Sequence, residues 1–380
     1  MLISRSDRGA FARWWFTVDR GVYSAALLLM AAGVIISMAA SPPVALRIGL
    51  DPFHFIRSQL FYLVFAVVLL SAASFLDRIW VRRVAIFTFL GSIMLMLAAL
   101  KFGPEIKGAH RWLNLGPISL QPSELAKPSF VVAVSWFLAD RLRRPDMPGH
   151  FIAYGLAGLF LGLLVIQPDF GQTALVATTF GAMLLVLGLP WILIFGLAGA
   201  AVALAVLAYL LVPHVSSRVE RFINPEKGDT FQVDTAIEAF KSGGLLGTGP
   251  GGGQSKLVLP DSHTDFAFAV VGEEFGAIAC LALMTLFFFI VIRALRRAKA
   301  EADPFAALSI AGLATMFGLQ AAINMGVNVA LLPAKGMTLP FISYGGSSLI
   351  GTALAIGFIL ALGRRVPRSE TAMALTAQTA

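Results

Sequence analysis

The sequence predicts an all-α, polytopic membrane protein of about ten transmembrane helices, with both termini cytoplasmic and a long outer loop between spans seven and eight. Three observations predict it. Of 380 residues, 58% are hydrophobic and only 13% charged, whereas a soluble globular chain carries about 25% charged residues and needs them to cover its surface. The apolar residues fall into runs long enough to cross a hydrocarbon core, which takes roughly 20 residues per helix. Basic residues then alternate in density from one connecting segment to the next, as the positive-inside rule requires. Helices satisfy every backbone group within the segment, as lipid demands, and the alternating pattern of an outer-membrane barrel is absent from the sequence. This composition excludes disorder, coiled coil, collagen and a small disulfide scaffold. The single cysteine, Cys280, lies in an apolar run and reads as a small buried hydrophobe.

In chain order, residues 1–20 form a cytoplasmic amphipathic segment. Arg13 stands among Phe11, Trp14, Trp15 and Phe16, which suits a helix lying at the inner interface. The apolar runs are 21–41, 56–76, 84–101, 123–139, 151–167, 171–188, 190–212, 264–292, 306–331 and 346–363. The first exceeds the h-region of a signal peptide and reads as an uncleaved anchor. Residues 21–363 thus make one ten-helix transmembrane domain that includes the outer loop 213–263, and 364–380 a cytoplasmic tail. With the N-terminus inside, the inner segments hold Arg5, Arg8, Arg13 and Arg20; Arg78, Arg82 and Arg83; Arg141, Arg143 and Arg144; Arg293, Arg296, Arg297 and Lys299; and Arg364, Arg365 and Arg368. The net charge of +8 is therefore a topology signal, and nucleic acid is not an expected partner.

The unusual polar residues gather on the outer side. In loop 213–263, Thr235-Ala-Ile-Glu238 reads as a capping box with Gly243 as the stop. The resulting short helix, 235–242, either lays Ala236, Ile237 and Phe240 on the outer leaflet or is a plain polar surface helix. The glycine-rich stretch from Gly243 to Lys256 lacks the Gly-Lys-Ser/Thr order of a phosphate loop. It reads either as a tight turn over the membrane or as backbone amides facing a lipid phosphate, and its glycines mark either a mobile segment placed to gate a site or a static lid in which they allow tight packing. Next, Leu259-Pro-Asp261-Ser-His263-Thr264-Asp265-Phe266 opens span eight, with Thr264 or Asp265 as its N-cap. Glu273 and Glu274 follow at a depth where carboxylates imply function or a partner, and Arg57 and Lys127, the basic residues within spans, are candidate partners.

Three more constellations stand at outer span ends: Gly108-Ala-His110-Arg111-Trp112 with Gln121-Pro-Ser123-Glu124-Leu-Ala-Lys127; Gln167-Pro-Asp169-Phe-Gly171; and Pro340-Phe-Ile-Ser343-Tyr-Gly-Gly-Ser347-Ser348. In each, Pro or Gly breaks the backbone while polar side chains collect at one membrane surface. Together with the Asp265 segment they point to a single amphiphilic site.

On these motifs the chain resembles the SEDS family (shape, elongation, division and sporulation proteins), polytopic peptidoglycan glycosyltransferases of the FtsW and RodA type. Phe231-Gln232, Ala236-Ile237 and Phe341-Ile-Ser-Tyr344 look closer to the division branch than to the elongation branch. The resemblance implies polymerisation of lipid II, a disaccharide-pentapeptide on undecaprenyl pyrophosphate, at the outer face of the cytoplasmic (inner) membrane, at the septum. It maps the family's catalytic acid onto Asp265. It implies a substrate cavity built from Arg111, Trp112, Gln121, Ser123, Glu124, Lys127, Gln167, Asp169, His263, Thr264, Lys335, Ser343, Ser347 and Ser348. It implies no organic cofactor. The partners it implies are a class B penicillin-binding protein, acting as transpeptidase, and other division-complex membrane proteins.

An inverting displacement that joins an acceptor 4-hydroxyl to donor C1 needs a base for the hydroxyl and positive charge or aligned amides for the departing pyrophosphate. Asp265 is the candidate base. Arg111, Lys127, Lys335 and the start of span ten at Ser347 and Ser348 are candidates for the pyrophosphate, with a divalent cation, Mg or Mn, as substitute or assistant. Asp265 and Asp169 alone make a weak metal site, so none is assigned. Two rival functions stay open. A lipid II flippase or other transporter needs a polar path across the whole membrane, and a noncatalytic division scaffold does not need Asp265 at a cavity.

Overall fold

The computed structural model describes residues 9–188 except 107, 117 and 145, residues 231–364 except 334 and 335, and isolated positions between 189 and 230. Most of the run 190–212 and of loop segment 213–230, residue Lys335 and the tail beyond 364 lie outside the described residues.

The described chain is almost wholly helical. The helices are α1 (Ala10–Thr17), α2 (Arg20–Arg47), α3 (His54–Phe75), α4 (Arg78–Phe102), α5 (Pro122–Arg143), α6 (Gly149–Ile166), α7 (Phe170–Val186), α8 (Phe231–Gly243), α9 (Ser255–Val258), α10 (Ala267–Ala300), α11 (Pro304–Asn328) and α12 (Gly346–Leu362). A short antiparallel hairpin, β1 (Leu113–Leu115) with β2 (Ile118–Leu120), precedes α5. The expected runs other than 190–212 coincide with α2 to α7 and α10 to α12. Among the described residues, α2, α3, α4, α6, α10 and α11 are long and apolar enough to cross a membrane, and α7 and α12 are apolar but shorter.

Local chemistry sets the helix starts. Asp19, Asp77, Asp169 and Asp303 cap α2, α4, α7 and α11, each accepting a backbone N–H from the first turn. Pro122 and Pro304 occupy opening positions of α5 and α11, where the missing N–H costs nothing. At the arginine-rich end, Arg293 pairs with Asp19 at 2.7 Å, and Arg78 pairs with Glu301 at 2.9 Å and Asp303 at 3.1 Å. Helix α1 docks there as well: the Trp14 indole donates to Ser74 Oγ at 2.8 Å and stacks on Phe75, while Phe11 and Phe16 stay exposed. Helix α12, apolar on every face, is buried along its length against α3 and α5.

Two elements at the opposite end differ from the sequence expectation. Helix α8 runs from Phe231, so Thr235 and Glu238 are interior and form no capping box. Its Ala236 and Ala239 are buried against protein, not laid on lipid. A Cβ on Gly243 would sit 1.9 Å from the Gly272 carbonyl, and one on Gly272 would sit 2.2 Å from the Phe240 ring. This contact requires glycine on both sides.

Helix α10 is two helices. Gly276 takes φ 76°, ψ 179°, and the helix breaks there. The loop after α8 fills the break: Ala277 and Ile278 donate to the Gly244 and Leu245 carbonyls at 2.9 and 3.3 Å, while Thr248 and Gly249 donate back to the Glu273 and Glu274 carbonyls at 2.9 and 3.0 Å. Every broken-helix group that these bonds reach is satisfied inside protein, as irregular backbone at a membrane must be. Beyond the break Ile278, Leu281, Met284 and Phe288 are exposed, whereas Ala267–Glu274 is buried. The lipid-facing part of the expected span 264–292 therefore begins after Gly276.

Candidate functional site

The site is built at the end of the bundle that holds α8, α9 and the β1–β2 hairpin. Its centre is the turn before α10. Asp261, at φ 55°, accepts the N–H groups of Thr264 and Asp265, both at 3.0 Å, and the Thr264 hydroxyl at 3.2 Å. The N-cap of α10 is Phe266 and no side chain of its own caps it, so neither Thr264 nor Asp265 has the expected capping role. The cap comes from α11: Asn328 Oδ1 accepts the Ala269 N–H at 3.0 Å. Asn324 and Asn328 each donate an Nδ2–H to the Asp265 main-chain carbonyl at 2.9 Å. The half-buried Asp265 carboxylate lies against Gly336, where a Cβ would be 3.4 Å from Oδ2. Gly336 follows Lys335 in sequence.

His263 ties this turn to the start of α12. Its carbonyl accepts the Tyr344 N–H at 2.8 Å, and its ring lies 4.5 Å from Phe55 and 5.5 Å from Tyr344. The serines of the same segment knit the walls together. Ser343 Oγ accepts from Leu339 N at 2.9 Å, Ser347 Oγ accepts from Gln121 N at 2.9 Å, and Ser348 Oγ bonds Thr338 Oγ1 at 2.6 Å. Ser347 thus fixes the hairpin–α5 junction to α12.

Arg111, a quarter exposed, forms the basic wall. It donates to the Gln167 carbonyl at 2.9 Å and to the Pro168 carbonyl, and lies 3.6 Å from Asp169 Oδ2. Asp169 also accepts from Gln121 Nε2 at 3.4 Å, and Gln167 reaches the Met96 carbonyl at 3.1 Å. Burial pushes the Asp169 carboxyl above its ordinary 3.8, and the Arg111 guanidinium offsets part of that rise. Trp112 stands half-buried between Arg111 and β1.

Ser123, Glu124 and Lys127 lie deeper, all nearly inaccessible. Lys127 Nζ meets Glu124 at 2.9 Å, Gln172 Oε1 at 2.9 Å and Gln320 Oε1 at 3.0 Å, which uses all three ammonium protons. Gln320 in turn donates to the Thr338 carbonyl at 3.2 Å. The structure assigns the ion pairs that the sequence left open. Lys127 belongs to Glu124, and Arg57 stands exposed 3.7 Å from Asp51. Glu274 pairs with Lys256, a residue not considered as a partner from sequence. Glu273 Oε1 accepts the Gln254 and Ser255 N–H groups, both at 2.8 Å, and Glu274 Oε2 accepts the Gly251 N–H at 2.9 Å. These amides face the chain's own carboxylates and not a lipid phosphate, and the loop expected to be mobile is anchored along its length.

An apolar groove of about 480 Å³ runs between Ile35–Leu46 of α2 and Pro250–Leu257. Among the described residues no three His, Cys, Asp or Glu side chains come together.

Residues 20–367 match the family described as cell cycle protein, FtsW/RodA/SpoVE. The chain is 44% identical over 365 residues to a probable peptidoglycan glycosyltransferase FtsW of Caulobacter vibrioides, covering 96% of this chain and 94% of the relative. It is 34% identical over 342 residues to a probable peptidoglycan glycosyltransferase FtsW of Escherichia coli O6:H1, covering 87% and 82%. Among solved structures, it superposes on a chain of a peptidoglycan synthase complex that coordinates polymerization and crosslinking, with a TM-score of 0.76, 29% identity, and coverage of 91% and 97%. It also superposes on the rod shape determining protein RodA of Thermus thermophilus, with a TM-score of 0.67, 29% identity, and coverage of 92% and 97%.

Proposed function

The chain belongs to the FtsW/RodA/SpoVE family and acts as a peptidoglycan glycosyltransferase, and we propose that it polymerises lipid II at the outer face of the cytoplasmic membrane, at the division septum. In this reading the chain has ten spans with both termini inside, and the end that carries Asp265 faces out. The observation that carries the reading is the Asp265 turn: a half-buried carboxylate just before α10, facing Gly336, in a residue whose main-chain carbonyl is held by Asn324 and Asn328.

In the proposed reaction, the Asp265 carboxylate accepts the proton of the acceptor 4-hydroxyl. The freed oxygen forms its bond to donor C1 as the bond from C1 to the pyrophosphate oxygen breaks on the opposite face, which inverts C1. The electron pair leaves with the lipid pyrophosphate, toward Arg111, Lys335 and the amides that open α12. The proton passes from Asp265 to water. Gln121, Gln167, Asp169, His263, Thr264 and the Ser343–Ser348 segment shape the walls. Ser123, Glu124 and Lys127 act from behind, as a buried polar floor.

The partner in this reading is a class B penicillin-binding protein, with other division-complex membrane proteins. It is supported by the likeness to a synthase complex that couples polymerization to crosslinking. The test is reconstitution of the purified chain with its cognate transpeptidase and lipid II in liposomes. Glycan polymer is the expected product. Movement of lipid II between leaflets without polymer favours the flippase reading, and retention of the partner with neither activity favours a scaffold.

A further inference from the structure

We propose that Asn324 and Asn328, one helical turn apart on α11, are positioning residues that set the Asp265 carboxylate against the segment that follows Lys335. The inference rests on Asp265 being the base. Asp265 lies in a turn, not in a helix, so neighbouring helical bonds do not fix its orientation. Its N–H is held within the turn by the Asp261 carbonyl, and its own carbonyl is held from outside the turn. Both asparagines donate to the Asp265 carbonyl at 2.9 Å. Asn324 Nδ2 also donates to the Met337 carbonyl at 2.6 Å, so one amide group joins residue 265 to residue 337. Asn328 holds the next residues by accepting from Ala269 N at 3.0 Å and donates to the Asn324 carbonyl at 2.9 Å. The two side chains are 2% and 0% exposed, so water cannot replace either donor. The segment joined by Asn324 includes Gly336, the residue that the Asp265 carboxylate faces.

This arrangement does more than start a helix. Asn328 accepts the α10 amide, whereas the Asn324 amide joins residues 265 and 337 and its Oδ1 accepts from Asn328 Nδ2 at 3.5 Å. A catalytic carboxylate must be held to about 0.5 Å, and a displacement of about 1 Å costs on the order of 100-fold in rate. Removing the Asn324 donor should therefore act on turnover and leave substrate affinity alone.

The experiment uses the full-length chain with its transpeptidase partner and lipid II. Asn324→Leu keeps the branched shape of the side chain and removes both donated bonds. The expected result is a kcat lower by roughly 10- to 100-fold with KM for lipid II within twofold, in a variant that still folds although the Met337 carbonyl loses its donor and the melting midpoint falls. Asn324→Asp, whose buried carboxyl stays protonated against two carbonyls, keeps one donor. It should recover part of kcat and lose that gain as pH rises. A folded Asn324→Leu variant with parental kcat overturns the proposal, and so does a fall in kcat accompanied by a rise in KM for lipid II of more than twofold. If Asn324→Leu fails to fold, Asn324→Asp decides: a pH profile parallel to the parent's overturns it. Polymerisation by Asp265→Asn would instead overturn the catalytic reading itself.

Discussion

Replacing Gly276 with alanine should disable the enzyme from a position that touches no proposed substrate group. The substitution faces two routes. If the break in α10 stays, alanine is held at φ 76°, ψ 179°, a region all but reserved for glycine, at about 1–3 kcal/mol. Its Cβ would also lie 2.4 Å from both Gly247 N and Leu245 O, and both neighbours are backbone atoms that cannot swing aside. The other route heals the helix and expels the loop. Alanine favours this by about 1 kcal/mol over glycine. Against that stand the four backbone bonds between residues 244–249 and 273–278, at about 0.5–1.5 kcal/mol each. The three amide bonds to the Glu273 and Glu274 carboxylates are lost as well, at about 1.5–3 kcal/mol each. Either route costs about 3 kcal/mol or more, and the second also redirects Ala267–Phe275 and the Asp265 turn before it. Gly91→Ala in α4, where a new Cβ meets nothing within 4 Å, is the control. The assay is thermal unfolding in detergent with limited tryptic cleavage at Lys256, which is buried in the parent. Gly276→Ala should melt lower, be cut at Lys256 and yield little polymer. Parental melting with Lys256 still protected would refute the anchoring of this loop.

Two further predictions concern buried charge. Lys127→Met leaves Glu124 uncompensated in the interior and should cost about 3–5 kcal/mol, whereas Lys299→Met, at an exposed site on the arginine-rich end, should cost little. Adding Glu124→Gln should restore the melting midpoint, and polymer yield in that double variant reports whether the pair also serves the reaction. Asp169 carries a carboxyl raised by burial from its ordinary 3.8. The folded state then holds its proton more tightly than the unfolded state, so the stability penalty is absent below 3.8, grows as pH rises through the raised value and is complete above it. Asp169→Asn removes that dependence, and its melting midpoint should gain on the parent's as pH increases across the weakly acidic range.

Much of the bundle was legible from hydropathy, because a lipid-crossing helix must be apolar over most of its length. The docked helix α1 was legible from Arg13 among aromatics. The four polar constellations each place polar side chains beside a backbone break, and the structure packs them at one end of the bundle. Pairing was not legible. Glu274 meets Lys256 and Lys127 meets Glu124 because of how α10, the glycine loop and α5 pack, and residue spacing carries no trace of that packing. The break at Gly276 was hidden for a related reason: glycine is common inside membrane helices, and only the backbone of residues 244–249 makes this one a requirement. The capping expectation at Thr264 and Asp265 followed sound local chemistry and was overridden by Asn328 from another helix. Asn324 and Asn328 did leave a signal, two amides four residues apart in an apolar run, but their target could not be read from the chain.

The most direct measurement is lipid II polymerisation by the Asp265→Asn variant, reconstituted with its transpeptidase beside the parent. Asparagine keeps the size of the side chain and leaves both main-chain bonds to Asn324 and Asn328 in place, so fold and partner retention should be unchanged. With Asp265 as the base, this variant should yield no detectable glycan polymer at the lipid II concentration that saturates the parent. Polymer at a rate near the parent's from a well-folded Asp265→Asn sample would contradict it.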